Sequence, residues 1–328
     1  MTFRSRLERL PGPSAVAIGN FDGFHAGHRL IIETMIHEAR RRNLAAVVLT
    51  FHPHPRVFLG QPIRLISTDR QRLEVLKRQP LDRLFFVDFA QVVSCPARDF
   101  VRDILLGTLR MEVLVVGEDF RFGRDREGDL AFLDRLAAAE HFTLIQAPNV
   151  EIDGCRVASS LIRKKLEAGA IASANRMLEE PYFIDGVVEK GAGRGSRLGF
   201  PTMNIASENS ILPCGVFHTR VAVAGHEYPS VTDIGRAPTF RAVPEGLTHK
   251  GPAQEGLTPN GVVPWGLTHK GSAFEGLKVE THIPGFRRMV YGKKVRLHFI
   301  GKIRDEKRFA TAVELVEQIR HDIAFLGI

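Results

Sequence analysis

Two rhythms of apolar residues divide this chain. In the first 180 residues short unbroken apolar runs alternate with stretches in which apolar residues recur every three or four positions. Ala15, Val16, Ala17 and Ile18 make one run, and 45–51, 83–87, 113–116 and 142–146 make four more. Runs of this length, bounded by Gly, Pro or charged residues, read as strands buried on both faces. Between them, Ile32, Met35, Ile36 and Ala39 fall on one side of a helix over 29–42. The same spacing predicts helices over 69–78, 96–109, 129–139 and 160–167, with Pro96 suited to a first turn and 173–180 ending a last helix. Such alternation predicts an open, mainly parallel, doubly wound α/β sheet, in which ligands bind beyond the carboxyl ends of the strands.

Beyond Pro181 the period shortens to two. Segments 183–189, 216–224, 228–234, 278–283 and 294–299 alternate apolar and polar residues, the pattern of a small antiparallel barrel. An amphipathic helix over 309–325 follows, with Val313, Val316, Ile319 and Ile323 on its apolar side. The change of rhythm predicts two domains, 1–180 and 181–328. At about 244–277 the barrel pattern is interrupted by a repeated ten-residue unit: GLTHKGPAQE at 246–255, GLTPNGVVPW at 256–265 and GLTHKGSAFE at 266–275. Two glycines in each unit favour neither helix nor strand, and one leucine per unit buries too little for a solenoid. A mobile, exposed insert is expected, tolerated because loop-closure entropy grows slowly with length.

The stretch Gly19-Asn20-Phe21-Asp22-Gly23-Phe24-His25-Ala26-Gly27-His28 joins the first buried run to the first helix. Gly19, Gly23 and Gly27 let the backbone around Phe21 pass close to a ligand, and the free N–H groups of the new helix suit phosphate. His25 and His28, at the mouth of that helix, can hydrogen-bond phosphate oxygens and stabilise charge that builds up during transfer. Their order resembles the H-x-G-H signature of the nucleotidylyltransferase superfamily, enzymes that attack the α-phosphorus of a nucleoside triphosphate and release pyrophosphate. A metal site on His25, His28, His52 and His54 competes with this reading, although no Cys or Glu-x-x-His partner accompanies them. Further on, the segment 157–163 resembles the one that closes the same superfamily's site. Ser159 and Ser160 offer hydroxyls there, Ser160 is expected to cap the helix and hold phosphate, and Arg163 to clamp a triphosphate.

Composition narrows the function classes. With 44% apolar and 25% charged residues the chain has the balance of an ordinary globular protein. No apolar run approaches a bilayer span and the N-terminus lacks a signal-like hydrophobic core, so a cytoplasmic protein without a membrane partner is expected. Cys95, Cys155 and Cys214 are far apart with no C-x-x-C, which argues against a disulfide framework or zinc ribbon. The net charge of +8 splits into +3 for 1–180 and +5 for 181–328, and a single Trp with three Tyr leaves little for base stacking. Small polyanionic substrates, not nucleic acid, are the expected partners. Nothing in the sequence sets an oligomeric state.

In the second half, Gly191 and Gly193 permit a phosphate-wrapping loop, while Thr202 and Asn204 offer oxygen ligands for Mg²⁺ and ATP. Glu280 places a carboxylate in a strand of alternating pattern. With the G-F-P-T-x-N run at 199–204, the V-E-T-H run at 279–282 and the tail 303–322, the chain resembles the prokaryotic bifunctional riboflavin kinase/FAD synthetase family from Pro13 to Asp322. That resemblance implies a nucleotidylyltransferase-like (Rossmann-like) α/β domain followed by a riboflavin-kinase-like barrel with a C-terminal helix. It implies phosphorylation of riboflavin by Mg·ATP in the second domain and adenylylation of the resulting FMN in the first. Glu280 would accept the hydroxyl proton, Thr202 and Asn204 would hold Mg·ATP, and His25, His28, Ser160 and Arg163 would serve ATP in the first domain. Asp119, Phe120, Arg121 and Phe122 match a loop associated with flavin, where rings can stack and an arginine can meet the FMN phosphate.

Two departures bear on the kinase half. A family segment usually reading N-I-G-x-R-P-T-F has Asp233 for Asn and Ala237 for Arg here, exchanging a donor–acceptor amide for an acceptor and removing a cation. The repeat, close before Glu280, is the other. An FMN adenylyltransferase with weakened or lost kinase activity is therefore the alternative. A flavin-binding regulator without turnover is opposed by the presence of His25, His28, Thr202, Asn204 and Glu280, and RNA binding rests on charge alone.

Overall fold

A computed structural model describes residues 2–191, 193–236 and 276–327. The repeat at 246–275 and Ala237 lie outside the described residues. The chain forms two compact units: Met1–Ile184 with Asn209–Pro213 and His298–Lys302, and Asp185–Glu208 with Cys214–Leu297 and Ile303–Ile328.

The first unit is built on six parallel strands: β1 (Thr2–Arg4), β2 (Ser14–Ile18), β3 (Ala45–His52), β4 (Arg83–Asp88), β5 (Met111–Gly117) and β6 (Thr143–Ala147), in the order β1-β4-β3-β2-β5-β6. From β2 the chain builds outward one way through β3 and β4, then returns to place β5 and β6 on the other side. The switch point between β2 and β5 therefore opens at their carboxyl ends, beneath the glycine-rich turn. Burial is continuous along the central strands, and successive side chains enter the layers on alternate faces, as expected for a sheet covered on both sides. Val16, Ile18, Val47, Leu49 and Phe51 join Phe100, Val101, Leu105 and Leu133 on one face. Ala15, Ala17, Ala46 and Val48 join Ile32, Met35 and Ala39 of the helix Ala26–Arg42 on the other. Each large aliphatic or aromatic side chain so enclosed contributes about 1.5–3 kcal/mol.

Helix boundaries follow local chemistry. Thr68 and Gln71 form a capping box on Asp69–Lys77, and Asp129 accepts from Phe132 N at the start of Leu130–Glu140. The helix expected over 96–109 is a single α-turn, Ala97–Asp99, continued as a wider π-type helix over Phe100–Thr108. The last expected helix, 173–180, is instead a short one over Ile171–Asn175. A two-stranded ribbon, β7 (Glu151–Ile152) with β8 (Cys155–Arg156), precedes the helix Ser159–Glu167. Segments from the second half complete this unit: Gln71 and Asn209 exchange amide hydrogen bonds of 3.2 and 2.9 Å, and Tyr182 Oη donates to Ile211 O at 2.6 Å.

The remaining strands are β9 (Phe183–Glu189), β10 (Thr202–Ser207), β11 (Gly215–Val223), β12 (His226–Arg236), β13 (Leu277–His282) and β14 (Lys294–Arg304), closed as a barrel in the order β10-β13-β12-β11-β14-β9. Closure leaves no free sheet edge. Its interior is partly polar: Thr219, Ser230, Thr232 and Thr281 are wholly buried and linked hydroxyl to hydroxyl at 2.8–2.9 Å. The C-terminal helix, Ala312–Ala324, half-buries Val316, Ile319 and Ile323 of the expected apolar stripe and is anchored by an ion pair as well. Arg304 Nη2 donates to buried Asp322 at 2.7 Å, Gln318 donates to the same carboxylate at 2.9 Å, and Val313 is 67% exposed.

Candidate functional site

The turn after β2 folds onto itself before it reaches any ligand. Phe21 takes φ 51° and is buried, so only its backbone can face a nucleotide. A Cβ on Gly19 would touch the Phe21 ring at 3.0 Å, and one on Gly23, at φ +63°, would meet Ile66 Cγ2 at 2.6 Å. Internal packing thus demands these two glycines, and Gly27 sits in the first turn of the helix under the His25 ring. Asp22 organises the turn. It is 2% exposed, accepts from Ile66 N at 3.2 Å and Ser67 N at 3.0 Å, and accepts from Arg163 Nη2 at 3.0 Å.

His25 caps the helix with its side chain, accepting from His28 N through Nδ1 at 3.3 Å. That bond leaves the His25 Nε2 to carry the proton of the neutral ring. The His28 ring stacks on it at 3.6 Å and meets the edge of Phe21 at 5.3 Å. Burial lowers the His25 pKa to about 4 and lowers that of His28 as well, where the neighbouring His25 and Arg72 act in the same direction. Both imidazoles are therefore neutral donors at neutral pH. His54, buried in the loop after β3, caps Pro55–Phe58 by accepting from Arg56 N at 3.2 Å, and its pKa also falls to about 4, mainly through burial. Among the described residues no group of three or more His, Cys, Asp or Glu side chains is arranged to hold a metal ion.

The serine segment differs from expectation. Ala158, extended and without a capping side chain, precedes the helix Ser159–Glu167, so Ser160 is not its cap. Ser159 spends its hydroxyl on Asp22 O at 2.9 Å, and Ser160 is exposed in the first turn. The N–H groups there are left without a side-chain acceptor, which suits phosphate better than a capped end. Arg163 is committed on one side to Asp22, with its buried Nε unpartnered.

The loop after β5 emerges beside the same turn. Asp119 pairs with Arg156, and Arg121 with Asp129 at 2.6 Å. Phe120 stacks on Phe122 at 5.4 Å, but Phe122 belongs to the core and packs under Gly128, so its ring is not free to stack on a flavin. Phe58 and Phe89, which the sequence pattern did not single out, meet edge to face at 5.5 Å with Phe58 41% exposed. Two buried groups were likewise missed: Asp22, unremarkable inside a glycine motif, and Arg72, a charge on the helix face that carries Val75 and Leu76.

On the barrel, register does the assembling. Asn204 of β10 stands opposite Glu280 of β13, and Glu280 opposite Asp233 of β12, giving a row of three polar side chains across adjacent strands. Thr202 lies two residues along the same face of β10. Gly191 and Gly195 pack so tightly on Asn204 and Phe200 that a Cβ at either would collide, which brings the glycine loop against Thr202 and Asn204. This donor set, a hydroxyl and a neutral amide beside a carboxylate, fits Mg²⁺, which keeps several waters and takes oxygens from substrate phosphates. Asp233 keeps a solvent-accessible edge while the chain crowds its carboxyl. That crowding first, then Glu306, Glu280 and Asp322 against the opposing Arg304, pushes its pKa up to about 6.

Comparison with known proteins agrees with both halves. An FAD synthetase family model matches residues 8–161 and a riboflavin kinase model matches 178–326. The chain is 31% identical, over 94% of its length and 90% of the relative's, to the bifunctional riboflavin kinase/FMN adenylyltransferase of Bacillus subtilis (strain 168). It belongs to the bifunctional riboflavin kinase/FMN adenylyltransferase family. The Escherichia coli (strain K12) member is 30% identical over 96% of this chain and 93% of its own. A crystal structure described as a macrolide-efflux protein from Streptococcus pneumoniae shares the fold, with a TM-score of 0.78, 25% identity and coverage of 96% of this chain and 94% of that one. That description names efflux, yet no described helix here is long and apolar enough to cross a membrane.

Proposed function

We propose that the chain phosphorylates riboflavin to FMN with ATP and adenylylates FMN to FAD with ATP, releasing pyrophosphate. The observation that carries this reading is the coexistence of two dissimilar glycine-rich turns, one in each of the two segments whose family models name the matching enzymes. The division of labour follows the change of rhythm, with adenylyl transfer in 1–180 and the kinase in 181–328.

In the first site, His25 and His28 donate as neutral imidazoles to the phosphate oxygens on which charge develops, and the uncapped start of Ser159–Glu167, with Ser160 in its first turn, meets the triphosphate. Arg163 acts from its unpaired side while Asp22 holds it in place. Phe120 and Arg121 face the flavin, and Phe122 supports them from the core. In the second site, Glu280 accepts the proton of the riboflavin 5′-hydroxyl as that oxygen attacks the terminal phosphorus of ATP, breaking its bond to the bridging oxygen and releasing ADP. The Gly191–Gly193 loop follows the phosphates, and Thr202 and Asn204 hold Mg²⁺. When bound, the metal neutralises charge on the phosphates. Neither site calls for a covalent enzyme intermediate. Riboflavin, FMN and ATP as the binding partners, without nucleic acid or membrane, and a cytoplasmic location complete the reading.

The alternative of a weak kinase draws on Asp233, whose carboxyl adds negative charge beside Glu280 as pH rises through about 6. One experiment separates the two. Purified chain incubated with riboflavin, ATP and Mg²⁺ is resolved by chromatography. FMN followed by FAD supports both activities, FAD from supplied FMN alone supports the alternative, and neither product overturns the proposal.

A further inference from the structure

We propose that Arg72 is a positioning residue of the first phosphate site, joining the turn after β2 to the end of β3 and setting a fixed positive charge behind the histidines. The inference rests on the reading of that site as the adenylyl-transfer centre. A fully enclosed guanidinium is rare and calls for partners. Arg72 has no exposed side-chain surface. Its Nη1 donates to Asn20 O at 2.5 Å, inside the glycine-rich turn, and its Nη2 to Phe51 O at 2.8 Å, at the carboxyl end of β3. The guanidinium carbon lies 5.0 Å from the centre of the Phe86 ring. Two of its hydrogen bonds therefore splice the ends of neighbouring strands, one leading to His25 and His28 and the other to His52 and His54. Its carboxylate partner, Asp69, accepts at 2.6 Å but is 32% exposed, so solvent weakens the neutralisation.

A second observation points the same way. Among the described residues, the buried side-chain atoms without a hydrogen-bond partner are His28 Nδ1, Thr50 Oγ1, Arg72 Nε and Arg163 Nε. All four belong to groups at or beside the carboxyl ends of β2 and β3. Unsatisfied polar atoms gathered in one place mark where a polar ligand or water completes the structure. Burial is the main cause that disfavours protonation of His28, His52 and His54, and the charge of Arg72 acts in the same direction. Asp22, Asp69 and Asp88 act the other way, while His25, Arg56 and Arg163 reinforce Arg72. The structure thus gives this arginine two roles that a lysine cannot combine. A lysine keeps the charge, but its single nitrogen cannot span both carbonyls while stacking on Phe86.

Full-length protein, Arg72→Lys and Arg72→Met provide the test, with circular dichroism establishing that each is folded. Histidine titration by NMR, ATP binding by calorimetry and FAD formation from FMN are read in parallel. In Arg72→Met the imidazole titration moves upward and ATP binds about tenfold more weakly. In Arg72→Lys the titration stays near wild type while FAD formation falls through kcat. Should Arg72→Met fail to fold, Arg72→Gln replaces it. Unchanged titration and unchanged ATP affinity in the folded neutral variant overturn the proposal, as does equal loss in both variants with no movement of the histidines. Wild-type protein that binds ATP but forms no FAD refutes adenylyl transfer instead, and the titration and affinity still judge Arg72.

Discussion

Acidification is expected to loosen the first unit well before its carboxylates are neutralised. Burial lowers the pKa of His25 and His54 from 6.5 to about 4. Between those values the unfolded chain binds protons that the folded chain refuses, so stability present above pH 6.5 is lost as pH falls towards 4. At pH 5 each histidine costs about 2 kcal/mol relative to pH 7, or about 4 kcal/mol for the pair. His28, lowered in the same sense, adds to the loss. Native-state hydrogen exchange of the full chain, followed on β2 and β3 peptides at pH 7 and pH 5, reads this directly. His54→Gln, which can still accept from Arg56 N, should lose about half of the effect. A change in opening free energy below about 1 kcal/mol, or the same pH slope in His54→Gln, refutes the reasoning. Asp233 reverses the sign. Its raised pKa gives the folded second unit stability below pH 3.8 that is lost as pH rises through about 6, so β12 protection should not fall with acid in step with β2 and β3.

Further consequences are equally direct. Asp22→Ala strands Arg163 and two backbone N–H groups and should destabilise the first unit by about 3–5 kcal/mol, measured by the same exchange experiment; a cost under about 1 kcal/mol contradicts the role given to Asp22. His28→Ala should lower FAD formation from FMN by about 100-fold or more while FMN formation from riboflavin continues, by chromatographic assay; equal loss of both activities in folded protein contradicts the assignment. Deleting 246–275 should leave a cooperative melt, because the pairing of Arg236 with Leu277 sets the β12–β13 register. A variant that precipitates or melts without cooperativity contradicts this.

The fold was most legible where both faces of an element are covered. The runs at 15–18 and 45–51 became β2 and β3 because a parallel strand inside two helical layers has no polar face to blur its pattern. The short β1 carries no such signal, and β10 is hidden because its apolar positions, Met203 and Ile205, are only two and alternate with the polar Thr202 and Asn204 behind a glycine-rich loop. The π-type turn at Phe100–Thr108 leaves no mark in apolar spacing. Val313 shows the limit of that spacing: Val316, Ile319 and Ile323 are half-buried, while Val313 is left outside on a helix that Arg304, Asp322 and Gln318 also anchor. Within the first site His25 and His28 were legible from glycines and helix start. Ser160 is not the cap because the capping position falls two residues earlier, on Ala158, than the serine pattern suggests. Arg72 left a signal that periodicity alone discards, a cation in register with the buried Val75 and Leu76. In the barrel, the row Asn204, Glu280, Asp233 could not be read from sequence, because a register between strands far apart in the chain assembles it.

The proposed route runs through two separate phosphate sites acting in series, one on the parallel sheet and one on the barrel. Glu280→Gln supplied with α-phosphorus-labelled ATP tests it most directly. The account predicts label in FAD when FMN is provided and none when riboflavin is provided. Label in FAD from riboflavin, or loss of FAD formation from both flavins in a folded protein, contradicts it.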